Sequence, residues 1–178
     1  GCRCVVLDPM PGCPASQIAS RQIVGRFDDP AKLRELAQAC DVLTYELEAI
    51  DTATLCQLED EGHRIRPSPR LLATLQDKLL QKRFLAEHDI PTAPFQATPA
   101  PDPATFAAFG YPLVQKARRG GYDGRGVSIL RGPEAFARHL PVDSYIERFI
   151  PARKELGILV ARSPAGEIRS YPPVEMRF

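Results

Sequence analysis

A glycine-rich basic segment between two apolar runs constrains this chain most. Residues 116–126 read KARRGGYDGRG, after the run Tyr111-Pro112-Leu113-Val114 and before Val127-Ser128-Ile129-Leu130. Short apolar runs on both sides predict two strands joined by a loop, which is a β-hairpin. The four glycines permit positive φ and leave backbone N–H groups open to an anion. Cationic side chains surround them, which favours a polyphosphate ligand: Lys116, Arg118, Arg119 and Arg125.

A plainer interpretation stays open at this point. Gly120-Gly121 and Asp123-Gly124 are common turn dipeptides, so the segment also fits a basic surface hairpin without a ligand. The chain contains no G-x-x-x-x-G-K-[ST] motif, and the glycine segment does not open a helix. It is therefore neither a P-loop nor a dinucleotide-binding fingerprint.

The charge balance of the 178 residues limits the kinds of partner. With 23 basic and 22 acidic side chains the net charge is +1, so no global field attracts nucleic acid or a membrane surface, and anion binding must be local. No apolar run reaches the ~20 residues of a membrane-spanning helix, and the first residues lack a signal-peptide pattern. We expect a cytoplasmic protein. The five cysteines, an odd number, argue against a disulfide framework, and we expect no metal site within the chain.

The first 66 residues alternate between strand and helix patterns. Cys4 to Asp8, Asp41 to Tyr45 and the minor run Arg64 to Arg66 predict strands, while Asp29-Pro30 and Asp51 begin helices. A further short helix is expected over Pro14 to Arg21. The pattern predicts a parallel sheet with helices on its faces.

Ligands of such sheets collect at the carboxyl ends of the strands. That edge contains Asp8 and the segment Thr44 to Glu48. Glu46 and Glu48 are therefore candidates for orienting a polar substrate, although two solvated loop carboxylates would look the same.

The middle of the chain predicts one helix and then a break. Ser68-Pro69 begins a helix whose apolar face runs from Leu71 to Leu85, with Lys78 and Lys82 as neighbours on one face. Five prolines between Ile90 and Pro103 predict irregular structure, and hence a linker.

The second half is rich in strand patterns. After a short helix from Asp102-Pro103 to Gly110 and the hairpin, Pro133 to Leu140 is predicted to be helical. Strands are predicted over Ser144 to Ile150, Glu155 to Arg162 and Glu167 to Glu175. We expect an α/β protein of two domains. The first, residues 1–66, contains a parallel sheet, and the second, residues 103–178, is an α+β unit. Residues 67–102 connect them as a helix and a linker.

Several ordered motifs carry a resemblance. The segments QDKLLQK, IPTAPF, GYPLVQKARRGGYDGRG, YIERFIPARKEL and YPPVE occur in this order, and LDPMPGCPASQIA, DVLTYELE and RPSP precede them. Together they resemble the ATP-grasp family of N5-carboxyaminoimidazole ribonucleotide synthetases of purine biosynthesis, over nearly the whole chain. The resemblance implies a pre-ATP-grasp αβ domain followed by the first part of an ATP-grasp domain.

The resemblance also implies a reaction and its partners. Enzymes of this family carboxylate 5-aminoimidazole ribonucleotide with bicarbonate and cleave ATP to ADP and phosphate, with Mg²⁺ as cofactor and as homodimers. Such chemistry is mostly phosphoryl transfer, so the protein supplies positioning and charge neutralisation.

Matched by position, the family's nucleotide contacts fall on both sides of the glycine segment. Lys78 and Lys116 would contact ATP, and residues Gly121 to Val127 would close over its phosphates. Glu147 to Ile150 would read adenine, and Glu155 would accept from the ribose hydroxyls. Tyr122 and Asp123 would face the aminoimidazole ribonucleotide and bicarbonate as catalytic residues. The implied ATP-binding set is Lys78, Lys116, Gly121, Tyr122, Asp123, Gly124, Arg125, Gly126, Val127, Glu147, Arg148, Phe149, Ile150 and Glu155.

The chain departs from the family pattern at several places. Lys78 stands where many members carry arginine, Ala49 follows Glu48 where many carry asparagine, and Phe178 stands where many carry histidine. The family's first strand is expected before Gly1, and its magnesium ligands after Phe178. Two alternatives stay open: another ATP-grasp ligase, such as a formate-dependent glycinamide ribonucleotide transformylase or a biotin-carboxylase-like enzyme, and a non-catalytic nucleotide-binding remnant.

We predict that the 178-residue chain alone does not turn over. Without magnesium ligands, charge developing on the transferred phosphoryl group is not neutralised by a metal. The measurement is ADP release with ATP, Mg²⁺ and bicarbonate, and release that depends on aminoimidazole ribonucleotide would contradict the prediction.

Overall fold

The structure is a computed structural model that describes residues 1–121 and 125–177. The chain divides into two compact units, Gly1–Arg148 and Phe149–Phe178. Across the described residues, no helix has the length and apolar character needed to cross a membrane. The elements in chain order are β1 (Val5–Asp8), β2 (Arg21–Val24), α1 (Pro30–Gln38), α2 (Thr52–Asp60), α3 (Pro69–Leu75), α4 (Lys78–Glu87), β3 (Phe95–Thr98), α5 (Pro103–Phe109), β4 (Leu113–Ala117), β5 (Val127–Leu130), β6 (Ser144–Arg148), β7 (Glu155–Gly157), β8 (Val160–Arg162), β9 (Ile168–Ser170) and β10 (Val174–Met176).

The first part of the larger unit is the predicted parallel α/β arrangement. Strands β1 and β2 pair in parallel, and helices α1 and α2 begin where Asp29 and Asp51 cap them with their carboxylates. These caps satisfy backbone N–H groups that have no partner inside the helix. One apolar core joins the strands and helices: Leu7, Ile23, Leu33, Leu36, Ala37, Leu43, Leu55, Leu58 and Ile65.

Three predictions for this region are wrong in extent. The strands expected over Asp41 to Tyr45 and Arg64 to Arg66 reduce to a single parallel bridge between Leu43 and Ile65. Leu43 N donates to Arg64 O and Arg66 N to Leu43 O, both at 2.9 Å, but Pro67 follows and has no N–H to extend the pairing. The helix expected from Pro14 to Arg21 is a 3-10 turn over Pro14–Gln17, because Arg21 already starts β2.

The single helix predicted after Ser68 is two helices. Helix α3 ends at Leu75, and α4 begins at Lys78. Between them Asp77 has extended backbone (φ −112°, ψ 103°) and its side chain accepts hydrogen bonds from Leu79 N and Leu80 N. An aspartate in this geometry caps a new helix, which leucine periodicity alone does not reveal.

A four-stranded antiparallel sheet forms the rest of the larger unit, in the order β3-β6-β4-β5. The predicted hairpin around the glycine segment is confirmed as β4 and β5, with Leu113 opposite Leu130. One face of the sheet packs on α5 and on a 3-10 helix over Pro133–Arg138, where a longer helical stretch was expected. The buried core on this face consists of Phe106, Leu113, Leu130, Ala135 and Ile146.

The proline-rich stretch was predicted to be irregular throughout, but part of it forms a strand. Phe95–Thr98 forms β3, which pairs with β6 at the edge of the sheet. The five prolines all lie outside these four residues, and an edge strand needs hydrogen bonds on one side only. The stretch therefore both connects elements and supplies a strand, while the domain division at 66 and 102 stays a prediction.

The smaller unit consists of short antiparallel pairs. Strand β7 pairs with β10, and β8 pairs with β9. The two long strands predicted here are each broken into two, at Ile158-Leu159 and at Tyr171 to Pro173. Pro172 and Pro173 lack the N–H groups that a continuous ladder needs. The strand predicted over Ser144 to Ile150 likewise ends at Arg148.

The core position of Phe106 gives a stability prediction. Its side chain is 0% exposed, whereas Phe84 on α4 is 43% exposed. We expect Phe106→Ala to lower the free energy of unfolding by about 3–5 kcal/mol, because it removes buried apolar surface and leaves a cavity. The measurement is urea unfolding, with Phe84→Ala as the matched control; equal losses in the two variants would contradict this packing.

Candidate nucleotide-binding site

The register of the sheet brings two predicted site residues to one face. Val114 on β4 lies opposite Glu147 on β6, and Lys116 lies opposite Tyr145. Because side chains alternate between faces, Lys116 and Glu147 are diagonal neighbours on the face that does not pack on α5. The other face carries the apolar core, which fixes the strands and hence the position of both charged groups.

Glu147 holds two lysines from two different elements. Glu147 is 6% exposed. Lys116 Nζ lies 2.6 Å from Oε1, and Lys82 Nζ, on α4, lies 2.5 Å from Oε2. Lys82 Nζ also donates a hydrogen bond of 2.6 Å to Thr92 Oγ1. The group carries two positive charges and one negative charge, so it keeps a net positive charge for an anionic ligand. We call Lys82, Lys116 and Glu147 the lysine–glutamate cluster.

One oxygen of this carboxylate is not fully satisfied. Glu147 Oε2 is buried and accepts no hydrogen bond from the residues that the structure describes, while Lys82 Nζ forms an ion pair with it at 2.5 Å. A buried acceptor in this state is costly unless a charge or a ligand compensates it. Lys82 compensates this buried oxygen by its positive charge.

Burial and the neighbouring positive charges act in opposite directions on the pKa of Glu147. Burial raises the pKa of Glu147, but the contacts with Lys116 and Lys82 lower it more, so its pKa lies below the ordinary value. The pKa of Tyr145 is raised strongly, first by burial and then by the negative charge of Glu147. At neutral pH the carboxylate is therefore ionised and the phenol is neutral.

The two limbs of the glycine loop approach too closely for side chains. A Cβ built on Gly121 would lie 2.7 Å from Arg125 O, and Gly126 has φ +74° with its Cβ position 3.1 Å from the Ala117 side chain. Ala117 N donates to Gly126 O at 2.8 Å, which closes the base of the loop. These glycines are therefore needed by the backbone itself, because a side chain at Gly121 would collide with Arg125 O and one at Gly126 would be strained.

Lys78 reaches this loop from the start of α4. Its Nζ donates a hydrogen bond of 3.1 Å to Gly121 O, and its backbone N donates one of 2.9 Å to Arg118 O. Helix α4 thus places Lys78 at the loop and Lys82 at the sheet. The two lysines were predicted to be neighbours on one helical face, and the structure gives them separate contacts one helical turn apart.

A cleft of about 1220 Å³ lies between the start of the glycine loop and residues 46–51. Four of the predicted site residues line it: Glu46, Glu48, Lys78 and Gly121. Both glutamates are exposed. The segment after them is fixed from α3, because Gln76 Nε2 donates to Glu48 O at 2.6 Å and to Ile50 O at 2.8 Å.

The other predicted residues are spread over the chain. Gly126, Val127 and the exposed Arg125 lie at the end of the glycine loop and the start of β5, and Arg148 ends β6. In the smaller unit, Phe149 and Ile150 precede its strands, and Glu155 is exposed at the start of β7. Three positions lie outside the described residues in the loop, Tyr122, Asp123 and Gly124, as does Phe178.

Sequence reasoning missed three contributors. Lys82 was noted only as a neighbour of Lys78, and Asp77 was not noted although it precedes a helix, where aspartate commonly caps. Arg118 was treated as one of several loop cations, but it makes paired hydrogen bonds with Asp77. The N-cap pattern could have revealed Asp77, whereas the partners of Lys82 and Arg118 depend on tertiary structure.

Comparisons with known families match both parts of the chain. An ATP-grasp domain model matches residues 83–177, more than half of the chain, and a ribonucleotide synthetase preATP-grasp domain model matches residues 1–76. The chain belongs to the ATP-grasp family.

Within this family the chain is similar to N5-carboxyaminoimidazole ribonucleotide synthases. The one from Synechococcus elongatus is 39% identical over 168 residues, which cover 91% of this chain and 42% of that protein. The crystal structure of the Thermotoga maritima synthetase matches with 42% identity and a TM-score of 0.88, over 97% of this chain and 46% of that one.

A third similar structure contains ligands. It is the Aspergillus clavatus N5-carboxyaminoimidazole synthase in complex with ADP and 5-aminoimidazole ribonucleotide, at 32% identity and a TM-score of 0.81, over 95% of this chain and 46% of that one. The chain therefore spans about half the length of the relatives that it matches.

The lowered pKa of Glu147 predicts an acid-dependent contribution to stability. A carboxyl group whose pKa is depressed on folding stabilises the folded state above the ordinary pKa of about 4.3, and this contribution is lost as the pH falls through the lower, folded-state value. We expect Glu147→Gln to lower the free energy of unfolding most at neutral pH, with the difference from wild type shrinking below about pH 4.

The measurement is urea unfolding between neutral pH and pH 3. Glu87→Gln is the matched control, since Glu87 is an exposed residue of α4. A difference between Glu147→Gln and wild type that does not change with pH would contradict the ionised state of the cluster.

Proposed function

We propose that this chain is the nucleotide-binding front part of a carbon–nitrogen ligase of purine biosynthesis. The proposed reaction uses ATP to carboxylate 5-aminoimidazole ribonucleotide with bicarbonate, giving N5-carboxyaminoimidazole ribonucleotide, ADP and phosphate. The observation that carries this proposal is the lysine–glutamate cluster beside the glycine loop, whose base is joined by the hydrogen bond from Ala117 N to Gly126 O. Similarity to synthases over more than nine-tenths of the chain supports the choice of substrate.

The described residues fit a polyphosphate. Two lysines, Lys78 and Lys116, bring ammonium groups to the glycine loop and to the adjoining sheet face, and the loop presents backbone without side chains at Gly121 and Gly126. Positive charge at the site neutralises the phosphates, and the loop amides can donate to their oxygens. In this proposal Lys116 and Lys78 bind ATP phosphates, while residues 121–127 cover them and exclude water.

The family resemblance implies that adenine is read through the Glu147 carboxylate or carbonyl and through backbone groups of residues 147–150. The Glu147 carboxylate contacts Lys82 and Lys116, so we assign it to holding these lysines, and we assign adenine recognition to backbone groups of residues 147–150. Glu155 as the acceptor from ribose hydroxyls rests on the family resemblance alone. The same holds for Tyr122 and Asp123 toward the aminoimidazole ribonucleotide and bicarbonate, and for Glu46 and Glu48 as substrate contacts.

The proposed reaction consists of two steps, a phosphoryl transfer and then a carboxyl transfer. A bicarbonate oxygen attacks the γ-phosphorus of ATP, and ADP leaves with the electron pair of the broken P–O bond. The exocyclic amine of the ribonucleotide then attacks the carboxyl carbon, phosphate leaves, and the amine loses a proton. For the first transfer the protein must hold the phosphates in line and stabilise the charge on their oxygens, which is the task of the two lysines and the loop.

Magnesium is part of the proposed function, but the described residues offer no cluster of side chains to bind it. Among them, no group of three or more histidine, cysteine, aspartate or glutamate side chains is arranged to hold a metal ion. We therefore assign no ligand and no step to magnesium in this chain. A cytoplasmic location and a homodimer are likewise proposed from the family resemblance.

Two other functions compete with this one. Another ATP-grasp ligase would use the same nucleotide site with a different acceptor, and a non-catalytic relative would bind ATP without turnover. Dependence of ADP release on the aminoimidazole ribonucleotide separates the proposed function from these two.

The test is ADP release by the longest open reading frame that contains this chain. With ATP, Mg²⁺ and bicarbonate, we expect aminoimidazole ribonucleotide to stimulate release, and Lys116→Ala to reduce it by at least about a hundredfold, because a charge contact to the transferring phosphates is lost. Lys32→Ala is the matched control, since Lys32 lies on α1 and pairs with Glu35.

Each result has a distinct meaning. Stimulation that survives Lys116→Ala would overturn the role of Lys116. ATP binding without stimulation by the ribonucleotide would overturn the substrate and favour one of the other two functions.

A further inference from the structure

A buried carboxylate outside the set of proposed ligand contacts joins three segments of the chain. Asp77 precedes α4 and is 1% exposed. Its Oδ1 accepts hydrogen bonds from Leu79 N at 3.0 Å and Leu80 N at 3.2 Å, and also from Arg118 Nε at 3.1 Å. Its Oδ2 accepts from Arg118 Nη2 at 2.6 Å. The carboxylate therefore caps a helix and receives a guanidinium fork at the same time.

Arg118 begins the glycine loop, so this fork ties the loop to the helix. The main chain repeats the connection, since Lys78 N donates to Arg118 O at 2.9 Å. Arg118 also reaches the residue before β6, with Nη1 donating to Asp143 Oδ2 at 3.0 Å and its backbone N to Asp143 O at 3.3 Å. Helix α4, the loop and the start of β6 thus meet at one arginine.

The contacts of Lys78 depend on this arrangement. Its backbone is fixed against Arg118, and its Nζ reaches Gly121 O, three residues further along the loop. A second arginine, Arg119, has its Nε 3.6 Å from Asp77 Oδ2 and lines the cleft next to Lys78. Two arginines, Arg118 and Arg119, therefore share one buried carboxylate, whose negative charge offsets the repulsion between them.

Burial raises the pKa of the Asp77 carboxyl, but Arg118 and the helix N–H groups lower it more, so the group stays ionised. The other aspartate caps of this chain bond groups of their own helices: Asp29 accepts from Ala31 N and Lys32 N, Asp51 from Ala53 N and Thr54, and Asp102 from Thr105. Asp77 does this and in addition holds the loop.

We propose that Asp77 is a positioning residue, which fixes Arg118 and thereby sets the glycine loop and Lys78 for the nucleotide phosphates. This inference rests on the proposed function for the identity of the ligand, but not for the connection between helix and loop. Asp77 is not among the proposed ligand contacts. Its effect passes through Arg118 to the loop, and through α4 to the Lys78 ammonium.

The test compares Asp77→Asn with Asp29→Asn in the longest open reading frame that contains this chain. Asparagine keeps a cap acceptor and nearly the same shape, but it loses the charge that holds Arg118. Asp29 makes the same pair of cap hydrogen bonds at the start of α1. The two variants therefore share any loss due to capping and differ in the fork.

Hydrogen exchange without ligand is the first readout. We expect backbone amides of residues 118–126 to exchange about tenfold faster in Asp77→Asn, because a hydrogen bond to a charged group corresponds to about a factor of ten or more, and to be unchanged in Asp29→Asn. Equal exchange in this segment for both variants would overturn the proposal. Arg118→Lys, which keeps the charge but not the fork, is expected to reproduce the effect and serves if Asp77→Asn does not fold.

Nucleotide affinity is the second readout. We expect Asp77→Asn to weaken ATP binding about tenfold while adenosine binding stays unchanged, because in the proposed function only the phosphates contact the loop. Equal weakening of ATP and adenosine would indicate general structural damage and overturn the positioning role. A wild-type protein that does not bind ATP would overturn the proposed function, and the exchange comparison would then decide by itself whether Asp77 anchors the loop.

Discussion

The buried carboxylate of Glu147, shared between two lysines, is the interaction on which the candidate site depends. Removing an ionised carboxylate from water is costly, so it must be paired and held in place. Lys116 comes from the neighbouring strand and Lys82 from α4. The cluster therefore cannot form until the sheet and the helix pack correctly. In return, two lysines that would otherwise repel each other are fixed at defined positions beside the glycine loop.

One face of the four-stranded sheet carries the apolar core, and the other carries the charged residues of the candidate site. On β4 the side chains of Leu113, Gln115 and Ala117 are buried, while Lys116 lies on the opposite face. Gln115 is fully buried and satisfied, since its Nε2 donates to Leu140 O and Ser144 Oγ and its Oε1 accepts from Leu140 N. A satisfied polar group inside an apolar face fixes the register of the strand. That register sets where Lys116 meets Glu147.

Local signals in the sequence predicted the elements better than their extent. The hairpin, the caps at Asp29 and Asp51 and the parallel start of the chain follow from short-range chemistry, and the structure confirms them. The break before Lys78 and the strand at Phe95–Thr98 were missed, because leucine spacing and proline count say nothing about a cap or an edge position. The glycine loop was identified as a candidate phosphate site from its glycines and basic residues. The partners of Lys82, Glu147 and Arg118 were not, because each comes from a segment at least 41 residues away or from a different element of the fold.

Helix α4 acts as a spacer of fixed length between the lysine that contacts the glycine loop and the lysine that contacts Glu147. Lys78 lies at its first residue and touches the loop, and Lys82, one turn later, touches the sheet. Each added or removed residue between them would rotate one lysine by about 100° relative to the other and shift it by about 1.5 Å along the axis. The four-residue interval therefore tolerates changes of side chain at Leu80 and Gln81 but no change of length. In evolution or in redesign, the loops on either side of α4 can vary, whereas this one turn must be inherited intact.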